Sequence, residues 1–163
     1  MNHVQIIGTG LEFIKYGIRS TESVIEEMIQ SAKYEIQIMA FVFTSRSIKI
    51  LQLLEKKAED GVNITIVINN LNEQEHNIIK LLKYLTVKFS PYVTIIDFNN
   101  GSSRQLHAKV VVVDRSTAVI GSANLTWSGM VNNYELGVVV DGSAARKIGS
   151  IIDGLVSQPI DSD

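Results

Sequence analysis

Apolar, β-branched residues gather along this chain into short runs at Val4–Ile7, Glu35–Phe43, Asn63–Asn69, Val93–Phe98, Leu106–Asp114, Thr117–Gly121 and Glu135–Val140. Runs of that length and composition predict strands. Between several of them the pattern switches to a helical period. Ser20–Ala32 puts Val24, Ile25, Met28 and Ile29 on one stripe, and Ser47–Asp60 does the same with Ile48, Leu51, Leu54 and Ala58, ahead of Gly61 as a stop. A third helix is predicted over Glu73–Leu85 behind the N-cap Asn72, and a fourth over Ala144–Val156. Early alternation of strand and helix followed by a hairpin predicts an α/β fold: a single domain with a central mixed β-sheet flanked by helices on both faces. The 163 residues fit one domain, 1–163, with a core over about 4–157. Asn99 to Arg104 is the most loop-like internal segment, and the tail after Gln158 is expected to fray.

One run breaks the apolar rule. His107-Ala108-Lys109 leads into four valines, Val110 to Val113, and the turn Arg115-Ser116-Thr117 then opens the next strand. Period two puts His107 and Lys109 on the same face. A buried strand has no packing use for two adjacent polar groups, so they either meet partners or line a cleft.

Composition narrows what that cleft can do. The chain has no cysteine, which removes disulfides, thiolate zinc sites and Cys nucleophiles together. The first residues lack a basic start followed by an apolar run of signal-peptide length, and no segment approaches eighteen unbroken apolar residues. The expectation is a cytoplasmic protein with no membrane segment. Fifteen Lys and Arg against seventeen Asp and Glu leave a net charge of −2, so contact with a polyanion must come from a local patch.

Downstream of His107 the polar spacing continues with Asp114, then Gly121-Ser122-x-Asn124, then Asn133-x-Glu135. Lys109 supplies a cation, Ser122 and Asn124 supply neutral donors, and Gly121 would let backbone approach a ligand closely. Such a set suits an anionic guest. A phosphate diester is the natural one, because its non-bridging oxygens need donors and its phosphorus needs a nucleophile such as imidazole. Glu135 could hold the other imidazole nitrogen and fix the tautomer.

This spacing is similar to the HKD motif of the phospholipase D superfamily, and the upstream stretch from Ser31 to Asn69, with its Phe-x-x-Thr-Ser, resembles the first half of such domains. The likeness covers roughly residues 20 to 140. It implies that His107 attacks phosphorus to give a phosphohistidine, that Lys109 and Asn124 hold the phosphoryl oxygens with Ser122 in support, and that Glu135 orients the histidine. Asp114 is the motif acid, with a mainly structural role expected. Larger members carry the motif twice, whereas this chain has it once. His3 and His76 sit in no comparable context, so a homodimer that brings two His107 side chains to one phosphate is expected.

The resulting expectation is a metal-independent phosphodiesterase, an endonuclease cleaving DNA or RNA in a site shared by two subunits, with no cofactor. The alternatives are a phospholipase D-type lipid phosphodiesterase and a non-catalytic nucleic-acid-binding module. A helicase or methylase partner is compatible with any nuclease reading. Among the remaining residues, Thr44 and Ser45 read as helix caps bordering the site, and Lys56-Lys57 as a wet helix face. Trp127 reads as core or interface aromatic ahead of a base-stacking role, and Asp97 is a strand-end carboxylate without assignment.

Overall fold

The computed structural model describes residues 3–98 and 104–157; most of the predicted loop Asn99 to Arg104, and the tail from Gln158, lie outside the described residues. Eight strands form one mixed sheet: β1 (Val4–Thr9), β2 (Arg19–Ser20), β3 (Glu35–Ala40), β4 (Asn63–Ile68), β5 (Val93–Asp97), β6 (Val110–Val113), β7 (Thr117–Gly121) and β8 (Glu135–Asp141). Their order across the sheet is β2-β1-β8-β7-β6-β3-β4-β5. The run β3-β4-β5 is parallel, joined by the crossover helices α3 (Ile48–Glu59) and α4 (His76–Lys88). From β3 through β6, β7 and β8 to β1 every pairing is antiparallel. Two more helices frame these, α2 (Thr21–Ser31) and α5 (Ser143–Ser157), with a short turn of helix, α1 (Leu11–Ile14), after β1.

Strand β6 explains the four valines. It lies mid-sheet between β3 and β7, and all four are buried. Val111 and Val113 join the core beneath α2, α3 and α4, while Val110 and Val112 join the smaller core beneath α5. A strand covered on both faces needs no alternation, hence the unbroken apolar run.

Several boundaries depart from the sequence pattern for local reasons. β6 starts at Val110, although Lys109 O still accepts the Gly121 N–H at 3.3 Å; residues 106–108 lie past the ends of β7 and β3 at Gly121 and Ala40. In α3 the inward stripe is Ile50, Leu51, Leu54 and Ala58, whereas Ile48, the first residue of the helix, is exposed. α4 begins three residues late because Leu71–Glu73 form a short 3-10 turn and Gln74 is spent on hydrogen bonds to neighbouring loops. Lys57 is no wet-face residue: its ammonium donates to Ala32 O at 3.0 Å and closes the end of α2. Lys56 is exposed as expected.

Sheet coverage is incomplete. On the α5 side, β1, β8 and β7 present Val4, Ile6, Leu136 and Ile120, all exposed among the described residues.

Candidate active site

The carboxyl ends of parallel strands β3 and β4, the start of β6, the end of β7 and the start of β8 all meet at one edge of the sheet. Open α/β sheets characteristically place ligands at this edge. Asn69, directly after β4, is buried and accepts the Leu106 N–H on its side-chain oxygen at 2.8 Å. That bond seats the segment leading to His107. Gln74 fastens the loops around it: it donates to Asn69 O at 2.8 Å and Phe41 O at 3.3 Å and accepts the Phe43 N–H at 3.1 Å. The sequence reading missed both residues. Asn69 was signalled only as a polar residue closing an apolar run, and Gln74 by nothing in its local pattern.

His107 is exposed, while Lys109 is buried, with 8% of its surface accessible. The Lys109 ammonium donates to His107 O at 2.6 Å and lies 2.8 Å from Nδ1 and 3.1 Å from Nε2 of the ring. Phe41, just past β3, supports both: its ring centroid is 4.8 Å from that of the imidazole, and the ammonium sits 5.4 Å from it. Burial pushes the Lys109 ammonium below the ordinary lysine value, and the charge of Glu135 partly restores it.

Across the same edge, Ser122 donates to the Glu135 carboxylate, which also accepts from Asn133 Nδ2 at 3.2 Å. Glu135 therefore engages Ser122 and Asn133, and no hydrogen bond joins it to His107 in this structure. The side-chain oxygen of Asn124 is buried and without a partner. That oxygen is an acceptor, so an anionic guest would be met by the amide's Nδ2 group and not by this atom. Gly129 makes room for this residue: a Cβ there would lie 2.4 Å from Asn124 O. Gly121 has a different use from the one its sequence position suggests. A Cβ on it would lie 3.0 Å from Gly137 Cα on β8, so its missing side chain serves close strand packing and not ligand approach.

Asp114 stands apart from the other motif residues. It lies at the opposite end of β6, about 17 Å from Lys109 along an extended chain. Its carboxylate accepts the N–H groups of Lys33, Tyr34 and Glu35 at 2.9, 2.8 and 2.9 Å, fixing the entry to β3. The structure thus brings His107, Lys109, Ser122, Asn124 and Glu135 to one edge and places Asp114 at the other.

Of the bordering residues, Thr44 caps the turn before α3 through a reciprocal pair with Ser47, with Thr44 N donating to Ser47 Oγ at 3.0 Å. Ser45 instead donates its N–H (2.7 Å) and its hydroxyl to Glu75. Asp97 accepts the Leu71 N–H at 2.9 Å. Among the described residues no group of three or more His, Asp or Glu side chains is placed to hold a metal.

Fold and site together define an α/β domain whose sheet edge presents an imidazole and a cation among neutral donors. The family model described as "Cardiolipin synthase, PLD-like domain" matches residues 25–154. The DISARM protein DrmC of Bacillus paralicheniformis is 30% identical over 153 residues, which cover 94% of this chain and 63% of DrmC. Cardiolipin synthase A of Buchnera aphidicola is 30% identical over 145 residues, covering 86% of this chain and 27% of the synthase. Among solved structures, Nuc from Salmonella typhimurium, a phospholipase D family member, superposes with a TM-score of 0.75 at 25% identity, covering 97% of this chain and 96% of Nuc. NucT from Helicobacter pylori shares the fold at a TM-score of 0.74, with 19% identity and 96% of each chain covered. The chain belongs to the phospholipase D superfamily, with that superfamily's phosphodiesterase fold in a single copy. It spans less than two thirds of DrmC and about a quarter of the synthase.

Proposed function

We propose that this chain is a metal-independent phosphodiesterase that cleaves nucleic acid through a phosphohistidine at His107, in a site completed by a second copy of the chain. The observation that carries the reading is the exposed His107 ring held against the buried Lys109 ammonium, at the sheet edge that Ser122, Asn124 and Glu135 share. In the first step a ring nitrogen lone pair attacks phosphorus while Lys109 and Asn124 bind the non-bridging oxygens, and the P–O bond to the leaving strand breaks. The departing oxygen takes a proton from a second imidazole. That imidazole, now neutral, removes a proton from water, which attacks phosphorus and breaks the P–N bond, so His107 is restored and a phosphomonoester is released.

Neither His3 nor His76 stands in this site: His3 precedes β1 beside Asp141, and His76 opens α4. A partner's His107 is the simplest second imidazole. The exposed apolar residues Val4, Ile6, Leu136 and Ile120, beside an α5 that exposes Ile151, support such a pairing, because a self-complementary interface would bury them. A helicase or methylase partner remains part of the proposal.

The second reading, a lipid phosphodiesterase, is favoured by the likeness to cardiolipin synthases. Among the described residues no helix is long and apolar enough to cross a membrane. Cleavage of single- and double-stranded DNA and RNA, and of anionic phospholipid vesicles, all in excess chelator, separates the two. Nucleic acid cut in chelator is the expected result. Activity that vanishes and returns with magnesium contradicts the imidazole mechanism, and turnover of lipid alone selects the second reading.

A further inference from the structure

Next to the catalytic edge lies an open groove of about 350 Å³, bordered by Ser45, Arg46, Glu75, Thr126, Trp127 and Ser128. Trp127 stands 40% exposed in its wall. The Arg46 guanidinium carbon lies 5.2 Å from the Trp127 ring centroid, so cation and indole form one stacked ridge. We infer that this groove takes an unpaired nucleobase, stacked on Trp127, of the strand whose phosphate His107 attacks; the inference rests on the nuclease reading and adds that the substrate class is single-stranded or locally unpaired nucleic acid.

Three observations converge on that occupant. The first is reach. Trp127 follows Asn124 by three residues, which limits their Cα separation to about 11 Å, or about three stacked nucleotides at 3.4 Å each. The second is chemistry. An aromatic face beside a guanidinium is the pairing that single-strand sites use, because every base offers a π-face and every linkage a phosphate. Glu75 adds an acceptor: one of its oxygens takes both bonds from Ser45, and hydrogen bonding there holds the carboxyl below its usual range and so charged. The third is anchoring. The loop before Trp127 is tied to the start of α3 by the Ser47 hydroxyl donating to Leu125 O, and the loop carrying Arg46 by the bonds from Ser45 to Glu75. Both sides of the groove are thus held in place without ligand. A volume near 350 Å³ lies at the small end of ligand sites, about 300–1,000 Å³, as suits one base with its sugar. A base in a closed duplex has both faces already stacked and cannot enter.

Trp127 is the single tryptophan of the chain, so emission excited at the red edge of indole absorption, where the five tyrosines do not absorb, reports this groove. The His107→Ala chain, used so that ligand stays intact, is titrated with a short DNA strand, the same length of backbone made wholly of abasic residues, a blunt duplex, inorganic phosphate and anionic phospholipid vesicles. The expected result is quenching by the natural strand, little by duplex, and none by the abasic strand or phosphate. With a dye on each strand and anisotropy as the readout, since the substitution removes the emitting indole, Trp127→Ala in that chain should weaken the natural strand roughly five- to 150-fold, the span of base–aromatic stacking, and leave abasic-strand affinity unchanged; Trp127→Phe should recover part of the loss. Equal quenching by natural and abasic strands, or unchanged affinity in Trp127→Ala, overturns the base site; cleavage by the wild-type chain, measured separately, then shows whether the nuclease reading survives. Quenching by vesicles and not by DNA overturns it as well. Melting and sedimentation check that variants fold and assemble like the parent. Should Trp127→Ala fail there, Arg46→Gln makes the same comparison with the indole in place, and a natural-strand affinity equal to the parent's overturns the proposal.

Discussion

The two ends of strand β6 are built from the same motif and obey opposite rules. At the start, His107 is exposed, Lys109 is buried and below its ordinary pKa, and Asn124 nearby keeps an unpaired oxygen. At the other end, the Asp114 carboxylate is occupied by three backbone N–H groups. Arg115 pairs with Asp153 at 2.7 and 3.0 Å and with Glu35, tying α5 to β3. Both Asp114 and Arg115 have φ of 50°, in the left-handed region, within the three-residue loop between the paired Val113 and Thr117. That conformation costs about 1–2 kcal/mol at a residue such as arginine, and the ion pairs at Arg115 offset it. At one end an exposed ring stands over a buried cation, and at the other the charged groups are spent on backbone and on ion pairs.

The sharpest way to break this contrast is His107→Ala. Its ring is exposed, so melting should stay at the wild-type temperature while turnover of a nucleic-acid diester falls about 10³-fold or more. Near-parental turnover in a folded variant removes the nucleophile assignment.

Asp114→Ala should do the reverse. Loss of a charged acceptor for three N–H groups should lower stability by about 2–4 kcal/mol, read by denaturant melts, with turnover near parental below the transition. Wild-type melting with lost turnover would move the motif acid into the chemistry.

A smaller effect concerns acid. The Arg115 guanidinium holds the Asp153 carboxyl below its usual range, so between the folded and unfolded values the unfolded chain binds more protons and stability rises with pH. The pair's contribution is complete above the unfolded value, about pH 4, and fades as pH falls through the folded one. The melting difference between wild type and Arg115→Gln should therefore be constant near neutrality and narrow below about pH 4. A difference that persists undiminished into strong acid points to packing of the arginine stem instead.

This contrast also marks how far the sequence could be read. Patterns set by burial were legible: the four valines, the stripe Val24, Ile25, Met28 and Ile29, and the mixed sheet with helices on both faces all follow from local periodicity. The motif spacing brought His107, Lys109, Ser122, Asn124 and Glu135 to one sheet edge, and it also carried Asp114, which works at the other. Residues whose role depends on distant backbone were not legible. Gln74 bridges to Phe41, Phe43 and Asn69, and Phe41 backs the imidazole only because β3 ends beside the start of β6. The two-residue strand β2 and the π-turn Ser128–Asn132 have too few residues to show a period. Gly121 could be read as a ligand approach because the sequence does not show Gly137 beside it.

The central claim is that each chain carries half of a two-histidine site, and one mixing experiment tests it most directly. Wild-type and His107→Ala chains are unfolded together in equal amounts and refolded, one of them tagged so that random pairing can be verified. If a single composite site needs both His107 copies, about one quarter of the activity on a natural diester should remain, that of the wild-type pairs. About one half remaining, or full activity from a wild-type monomer, would mean that each chain holds a complete site and would contradict the account.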